Sequence, residues 1–149
     1  MSQQKTIFLV EDNDDDVALA VRTFHRAKLT NPLVRACDGA DALDYLFARG
    51  KYVGRDVSDL PAVMLLDSNM PKLGGFEVLK AIRADERTKH LSVVILTSSN
   101  EDKDRACAYN HFANSYVVKR ADYDKFVVVA SQLGLYWMVL NRPPPRMEA

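Results

Sequence analysis

Short apolar runs alternate along most of the chain with segments in which apolar residues recur at helical spacing. A continuous apolar run bounded by turn residues is typical of a buried strand, whereas apolar residues at i, i+3 and i+4 are typical of an amphipathic helix. Five such runs are the predicted strands: residues 5–10, 33–37, 62–66, 93–96 and 116–118. A stretch with helical spacing follows each run, so the pattern predicts five strand–helix pairs.

The helical segments define the rest of the predicted fold. Their first periodic or polar residues are Val17, Ala42, Phe76, Asp104 and Asp122. Gly50 is expected to end the second helix, and the prolines at 143–145 are expected to end the last. Alternating strands and helices favour a parallel sheet covered on both faces, with right-handed crossovers. The predicted fold class is therefore α/β, a doubly wound five-stranded parallel sheet with five helices.

Length and composition fit one folded domain. The chain has 149 residues, 48% of them hydrophobic and 27% charged, which is enough to bury a full core. We expect a single domain over residues 1–149, with a core over about 5–140, a proline-rich tail over 141–149 and no effector domain. Basic and acidic residues number 20 each, so net charge gives no reason to expect nucleic acid or a membrane as a partner.

The start of the chain and the two cysteines indicate the cellular compartment of the protein. The first apolar run, residues 7–10, is too short for a signal peptide or a membrane span. Cys37 and Cys107 form no pair motif and lie in apolar-periodic segments, so we predict them to be small core residues in a reducing compartment. These features together predict a cytoplasmic protein.

Residues that can do chemistry follow four of the five predicted strands. Glu11 and Asp12 follow the first strand, and Asp67 follows the third. Thr97 follows the fourth strand, and Lys119 follows the fifth. Because ligands of open parallel sheets bind at the carboxyl ends of the strands, we expect these five side chains to converge on one edge.

The convergence of three carboxylates favours a bound cation. Neighbouring carboxylates disfavour one another's ionised state, and Mg²⁺, which takes oxygen ligands, removes that repulsion. Lys119 supplies a positive charge for a phosphoryl group, and the Thr97 hydroxyl can donate to a phosphoryl oxygen. The set suits an acyl phosphate on Asp67, with the metal neutralising developing charge.

Acids at the ends of strands can also have a purely structural role. Asp and Glu in such places are often turn or helix-capping residues. We interpret Asp14, Asp15 and Asp16 in this way, since acids in a first helical turn are favoured by the helix dipole.

Four motifs carry a family resemblance that spans essentially the whole chain. They are "FLVEDN" at 8–13, "LLDSNMPKLGGFEVL" at 65–79, "VVILTSS" at 93–99 and "NSYVVK" at 114–119. With them the sequence resembles the receiver domain of two-component response regulators. The resemblance implies a flavodoxin-like receiver fold, a sensor histidine kinase as partner, Mg²⁺ as cofactor, and a phosphoacceptor signalling protein rather than an enzyme.

The resemblance implies roles for the residues of the acidic edge. Asp67 would be the phosphorylated residue, and Lys119 would contact the phosphoryl group. Asp12 would bind Mg²⁺ directly, Glu11 mainly through water, and Asn69 through its backbone carbonyl.

The resemblance also implies a switch. Thr97 would be the switch hydroxyl and Tyr116 the switch aromatic, whose movement changes the face built from the fourth helix, fifth strand and fifth helix. Asn69 and Ser99 fall where the family tunes the lifetime of the phosphoryl group. The polar loop before Ala62 and the ending "GLYWMVLNRPPP" resemble the small stand-alone regulators of bacterial phytochromes and related sensor kinases.

Three positions depart from the family pattern. Arg120 stands where a proline usually follows the lysine, at a bond that is often cis in the family. Gly74 replaces the usual aspartate, and Ser68 replaces a commoner apolar residue. None of these changes removes a chemical group from the predicted site.

The last predicted helix is apolar on two sides. One stripe is expected to face the sheet, and a second set lies roughly opposite: Val128, Leu135, Met138 and Val139. A helix that its own chain covers incompletely is a candidate interface, so we expect a symmetric homodimer through this face. The alternative is a deep helix with scattered apolar residues on its surface.

Two other functional classes share parts of this pattern. Haloacid-dehalogenase phosphatases also form an aspartyl phosphate, but they use Asp-x-Asp with the second Asp as general acid, and here that position is Asn69. Nucleotide- and flavin-binding modules use a glycine-rich loop at a helix N-terminus. Here the turn after the first strand reads Glu-Asp-Asn-Asp, which would repel a phosphate in the absence of a metal.

Overall fold

The computed structural model describes residues 6–26, 31–68, 70, 73–97 and 102–118, the side chains of residues 97, 102–104 and 115–118 excepted. The strands are β1 (Ile7–Val10), β2 (Leu33–Ala36), β3 (Val63–Asp67), β4 (Val93–Thr97) and β5 (Ser115–Val118). The helices are α1 (Asp14–Arg26), α2 (Gly39–Leu46), α3 (Gly75–Ala84) and α4 (Asp102–Asn110), with a 3₁₀ turn at Gly50–Tyr52. The predicted fifth helix lies outside the described residues.

The five strands form one parallel sheet in the order β2-β1-β3-β4-β5. The chain runs outwards from β1 to β2, returns to β3, and then continues outwards to β5 on the other side. Strand order therefore reverses between β1 and β3, which is where an open α/β sheet places its ligand crevice. The predicted α/β class and doubly wound parallel sheet are confirmed.

Two apolar layers cover the sheet, one on each face. Alternate residues of a strand point to opposite faces, so β1 supplies Phe8 and Val10 to one layer and Ile7 and Leu9 to the other. The first layer packs against buried residues of α2 and α3, and the second against Ala20 and Phe24 of α1. Burial on both faces explains why β1 and β3 appear in the sequence as continuous apolar runs.

The end of α2 differs from the prediction. Gly50 was expected to end this helix, but the helix ends at Leu46 with Phe47 as its C-cap. Ala48 takes the left-handed conformation, with φ of 54°, so the helix is terminated without a glycine. Gly50, with φ of 58°, instead begins the 3₁₀ turn.

The cysteines also differ from the prediction. Cys37 is exposed and Cys107 is half-buried, so neither is a core residue. Cys37 comes directly after the last residue of β2, where the chain leaves the sheet and the apolar alternation no longer sets burial. Within the described part of the chain, no helix is long and apolar enough to cross a membrane.

The long loop between α2 and β3 is anchored on α2 by aromatic and charged contacts. The Tyr45 ring lies 4.5 Å from the Phe8 ring, and the Arg55 guanidinium lies 4.0 Å from the Tyr45 ring centre. Arg55 also donates a hydrogen bond of 2.7 Å to the Tyr45 carbonyl, and Tyr52 meets Tyr45 edge-on at 5.2 Å. Stacking and charge-assisted bonds of this kind hold a polar loop in place.

A hydrogen bond joins the same loop to the start of α2. The Tyr52 hydroxyl donates to an Asp41 carboxylate oxygen at 2.9 Å, and the Cys37 backbone N–H donates to the other at 3.1 Å. Burial alone would raise the pKa of Asp41, but these bonds from Cys37 and Tyr52, with help from Lys51, hold that pKa below its ordinary value. Burial and the Asp41 carboxylate raise the pKa of Tyr52.

Candidate functional site

Three carboxylates meet at the carboxyl edge of the sheet. Ligand atoms of Glu11, Asp12 and Asp67 all lie within 4.8 Å of one another. The pairing of β1 with β3 explains the meeting, because Val10 is in register with Leu66 and the residue that follows each of them in the chain is an acid. Glu11 and Asp67 are buried, at 2% and 4% exposed, while Asp12 is exposed. The convergence predicted for these three residues is confirmed.

The turn that carries Glu11 and Asp12 is fixed by its own polar groups. The Glu11 N–H donates to the Ala36 carbonyl of β2 at 3.1 Å, and the Asn13 N–H donates to a Glu11 carboxylate oxygen at 3.3 Å. The Asn13 side chain accepts from the Asp16 N–H at 3.0 Å, which caps the first turn of α1. The chain therefore passes from strand to helix within a few residues and leaves the two acids at the edge.

The acids that begin α1 have the structural setting predicted for them. Asp14, Asp15 and Asp16 all lie in the first turn of the helix, where negative charge is favoured. Asp14 forms an ion pair of 2.9 Å with Arg35 of β2, and the Asp14 side chain is 88% exposed.

Gly75 sets the approach of α3 to the backbone of Asp67. A Cβ atom on Gly75 would lie 2.5 Å from the Asp67 carbonyl oxygen and 2.8 Å from the Ser68 Cα. No side chain fits at such distances, so the glycine permits α3 to begin directly against the end of β3. Sequence reasoning assigned no role to Gly75.

The neighbouring Gly74 has no such steric role. A Cβ there would meet nothing within 4 Å, and its φ of −72° suits any residue. Gly74 is the N-cap of α3 and makes no side-chain capping bond, which the aspartate usual in the family could make. Ser68 is half-buried, and its N–H donates to the Leu96 carbonyl at 3.1 Å. Nothing in the structure explains why serine stands there.

The strand register locates part of the predicted switch. Thr97 is the last residue of β4, and Asp67 is in register with Leu96, so Thr97 lies one residue further along the same edge. Tyr116 lies in β5, in register with Ile95. Four groups of predicted residues fall outside the described part of the chain: Asn69, Ser99, Lys119 with Arg120, and the helix face of Val128, Leu135, Met138 and Val139.

The acidic cluster fits a hard divalent cation. All three donors are carboxylates, which are the ligands that Mg²⁺ and similar ions prefer. Two of the three are buried, and closely spaced buried carboxylates repel unless positive charge is supplied. Glu11, Asp12 and Asp67 could therefore hold a metal ion at this edge of the sheet.

Comparison with known proteins decides the family. Residues 7–130 match the response regulator receiver domain. The chain belongs to this family. Among curated relatives of the receiver domain is FilR2 of Methanothrix harundinacea, described as a probable methanogenesis regulatory protein, with 38% identity covering 93% of this chain and 86% of FilR2. Another is the response regulator Rcp1 of Synechocystis, with 30% identity covering 90% of this chain and 89% of Rcp1.

Solved structures of response regulators share the fold of this receiver domain. The phosphorylated cyanobacterial phytochrome response regulator RcpA is 31% identical, with a TM-score of 0.85 over 96% of this chain and 100% of RcpA. The Mn²⁺-bound form of Rcp1 gives a TM-score of 0.83 at 28% identity, over 95% of this chain and 99% of Rcp1. The protein is thus a phosphoacceptor of two-component signalling related to phytochrome response regulators, and the phosphatase interpretation is not favoured.

Proposed function

We propose that Asp67 accepts a phosphoryl group from the phosphohistidine of a sensor histidine kinase. The observation that carries the proposal is the buried Asp67 carboxylate, within 4.8 Å of Glu11 and Asp12 at the reversal point of the sheet. One carboxylate oxygen attacks phosphorus and a P–O bond forms. The P–N bond to the kinase histidine breaks, and its electron pair stays on the imidazole nitrogen. The protein assists its own phosphotransfer by positioning and electrostatics and is not an enzyme for other substrates.

The proposed cofactor is Mg²⁺. Glu11, Asp12 and Asp67 would hold it, with the backbone carbonyl of Asn69 implied by the family resemblance. When bound, the ion neutralises negative charge on the phosphoryl oxygens and on the carboxylates around them. That the related Rcp1 binds Mn²⁺ supports a divalent cation as cofactor, and the three carboxylates at this edge of the sheet support Mg²⁺.

The proposed output is a population shift between two states of the same fold. Thr97, at the end of the strand next to Asp67, would follow the phosphoryl group, and Tyr116 on β5 would move with it. Lys119 would contact the phosphoryl group, and Asn69 and Ser99 would tune its lifetime. The relation to RcpA supports a kinase of the phytochrome class as donor. We also propose a cytoplasmic location, from the sequence features alone.

Labelling with a phosphoryl donor tests the phosphoacceptor. The chain is incubated with Mg²⁺ and either acetyl phosphate or a phosphorylated phytochrome-type kinase, and phosphoprotein is measured. Asp67→Asn should abolish labelling because the amide is not a nucleophile, whereas Asp15→Asn, an exposed acid outside the cluster, should label like wild type. Equal labelling of Asp67→Asn would exclude the assignment.

A second experiment tests the proposed homodimer through the last helix. Sedimentation velocity of wild type and Leu135→Glu should show a dimer for the first and a monomer for the second, since a buried charge opposes an apolar interface. A monomeric wild type at micromolar concentration would contradict the proposal.

A further inference from the structure

Arg35 reaches from β2 onto the turn that carries Glu11 and Asp12. Its Nε donates to the Glu11 carbonyl oxygen at 3.0 Å, and its Nη1 lies 2.9 Å from an Asp14 carboxylate oxygen. One contact thus precedes Asp12 in the chain and the other follows it. The pairing of β2 with β1 makes this reach possible, since Arg35 is in register with Leu9, two residues before Glu11.

We propose that Arg35 is a positioning residue for the metal site: through its Nε hydrogen bond to the Glu11 carbonyl, it holds the turn that keeps the Asp12 carboxylate close to Asp67. The proposal rests on the proposed function of the cluster. Asp12 is exposed, so packing does little to fix it, and its place in the cluster depends on the backbone of this turn. A guanidinium suits the task because its N–H groups are fixed in one plane and can serve two acceptors in different directions.

The backbone contact is the important one. An ion pair with a side chain as exposed as Asp14, at 88%, contributes little by itself. The Arg35 side chain is less exposed, at 27%, and its Nε bond ends on the backbone of a ligand residue. Groups that orient metal ligands in this way commonly change metal affinity by about 10- to 100-fold when they are removed.

Removal of Arg35 should change metal affinity in opposite directions, depending on whether the residue acts only through its charge or by positioning the turn. A guanidinium near a cation site repels the cation, so removal of a bystander charge would tighten metal binding. Removal of a positioning group would loosen the turn and weaken metal binding. The sign of the change in the dissociation constant therefore separates the two roles.

The experiment is calorimetric titration of the full chain with Mn²⁺, without a phosphoryl donor. Arg35→Gln should weaken Mn²⁺ binding by about 10-fold. Arg35→Lys should also weaken it, because a single ammonium keeps the charge but loses the planar fork. Asp14→Asn, which leaves the Nε bond to Glu11 in place, should bind Mn²⁺ within about twofold of wild type.

Two further readouts separate positioning from general damage. Circular dichroism must show that each variant is folded at the titration temperature, and if Arg35→Gln does not fold, Arg35→Lys carries the test. At saturating Mg²⁺ the labelling rate of Arg35→Lys by acetyl phosphate should return to within about twofold of wild type, since the defect is one of metal affinity. Wild-type or tighter Mn²⁺ binding by Arg35→Lys, or a rate that does not recover, would overturn the proposal.

The failure of this proposal is distinct from failure of the proposed function. The Mn²⁺ titration needs no phosphotransfer, so unchanged affinity in the Arg35 variants removes only the positioning role. Labelling of Asp67→Asn, by contrast, removes the phosphoacceptor assignment whatever the affinity of the Arg35 variants.

Discussion

A single added methyl group at Gly75 should disturb both the stability and the chemistry of this receiver domain. In Gly75→Ala the new Cβ would lie 2.5 Å from the Asp67 carbonyl oxygen, 2.8 Å from the Ser68 Cα and 3.1 Å from the Asp67 carbonyl carbon. All three atoms belong to the backbone, so none can turn away as a flexible side chain would. Either α3 must move outward or the end of β3 must shift.

The size of the effect follows from the cost of forcing extra atoms into a packed site. Such overpacking typically costs about 1–3 kcal/mol. Alanine regains about 0.4–1 kcal/mol by restricting the unfolded chain, so mid-range values of about 2 and about 0.7 kcal/mol give a net loss of about 1.3 kcal/mol. For a domain of this size, that corresponds to a fall in melting temperature of about 3–5 °C. Displacement of the Asp67 backbone should also slow phosphorylation, since a shift of about 1 Å at a reacting group costs about 100-fold.

The matched control is Gly74→Ala, one residue earlier. Its Cβ would meet nothing within 4 Å, so this variant should stay within about 0.5 kcal/mol of wild type and label at the wild-type rate. Urea denaturation followed by circular dichroism gives the stabilities, and initial labelling by acetyl phosphate at saturating Mg²⁺ gives the rates. If Gly75→Ala and Gly74→Ala share one urea midpoint and one labelling rate, the reasoning is refuted.

Two further predictions concern the hydrogen bond between the α2–β3 loop and α2. Tyr52→Phe removes the 2.9 Å bond to Asp41 and should lower the free energy of unfolding by about 1 kcal/mol. Tyr109→Phe, at an exposed side chain of α4, should change it little, and the urea midpoints of the two variants test the difference. Because the pKa of Asp41 is depressed below 3.8, its contribution to stability is present above that pH and is lost as the pH falls through the folded value. Asp41→Asn should therefore show a shallower fall in urea midpoint on acidification than wild type, and an identical slope would contradict this.

The sequence predicts this fold well where local pattern and tertiary environment agree. β1 and β3 are buried on both faces, so each appears in the sequence as a continuous apolar run. An acid, Glu11 or Asp67, comes directly after each apolar run. The acidic cluster was predictable for the same reason, since parallel strands bring their carboxyl ends to one edge. What the pattern alone did not supply was the order of the strands, which sets Glu11 beside Asp67.

The residues that sequence reasoning missed act through contacts between distant segments. The need for glycine at position 75 arises from a backbone eight residues earlier in the chain and leaves no periodic signal. Arg35 lies in a short, half-buried edge strand, where a basic residue commonly faces solvent, and its acceptors lie more than twenty residues earlier in the chain. Ala48, just after α2, takes a left-handed conformation that alanine rarely adopts. The predicted end of the helix was therefore at Gly50, a residue that adopts this conformation easily.

The exposed Cys37 offers a natural attachment point for a fluorescent dye on this receiver domain. It follows Ala36, whose carbonyl accepts the Glu11 N–H at 3.1 Å, so a dye on its thiol would report from beside the acidic turn. Cys107 is half-buried and should react more slowly with a maleimide fluorophore, which favours single labelling. Metal binding and phosphorylation could then be followed by fluorescence in real time, without an engineered cysteine.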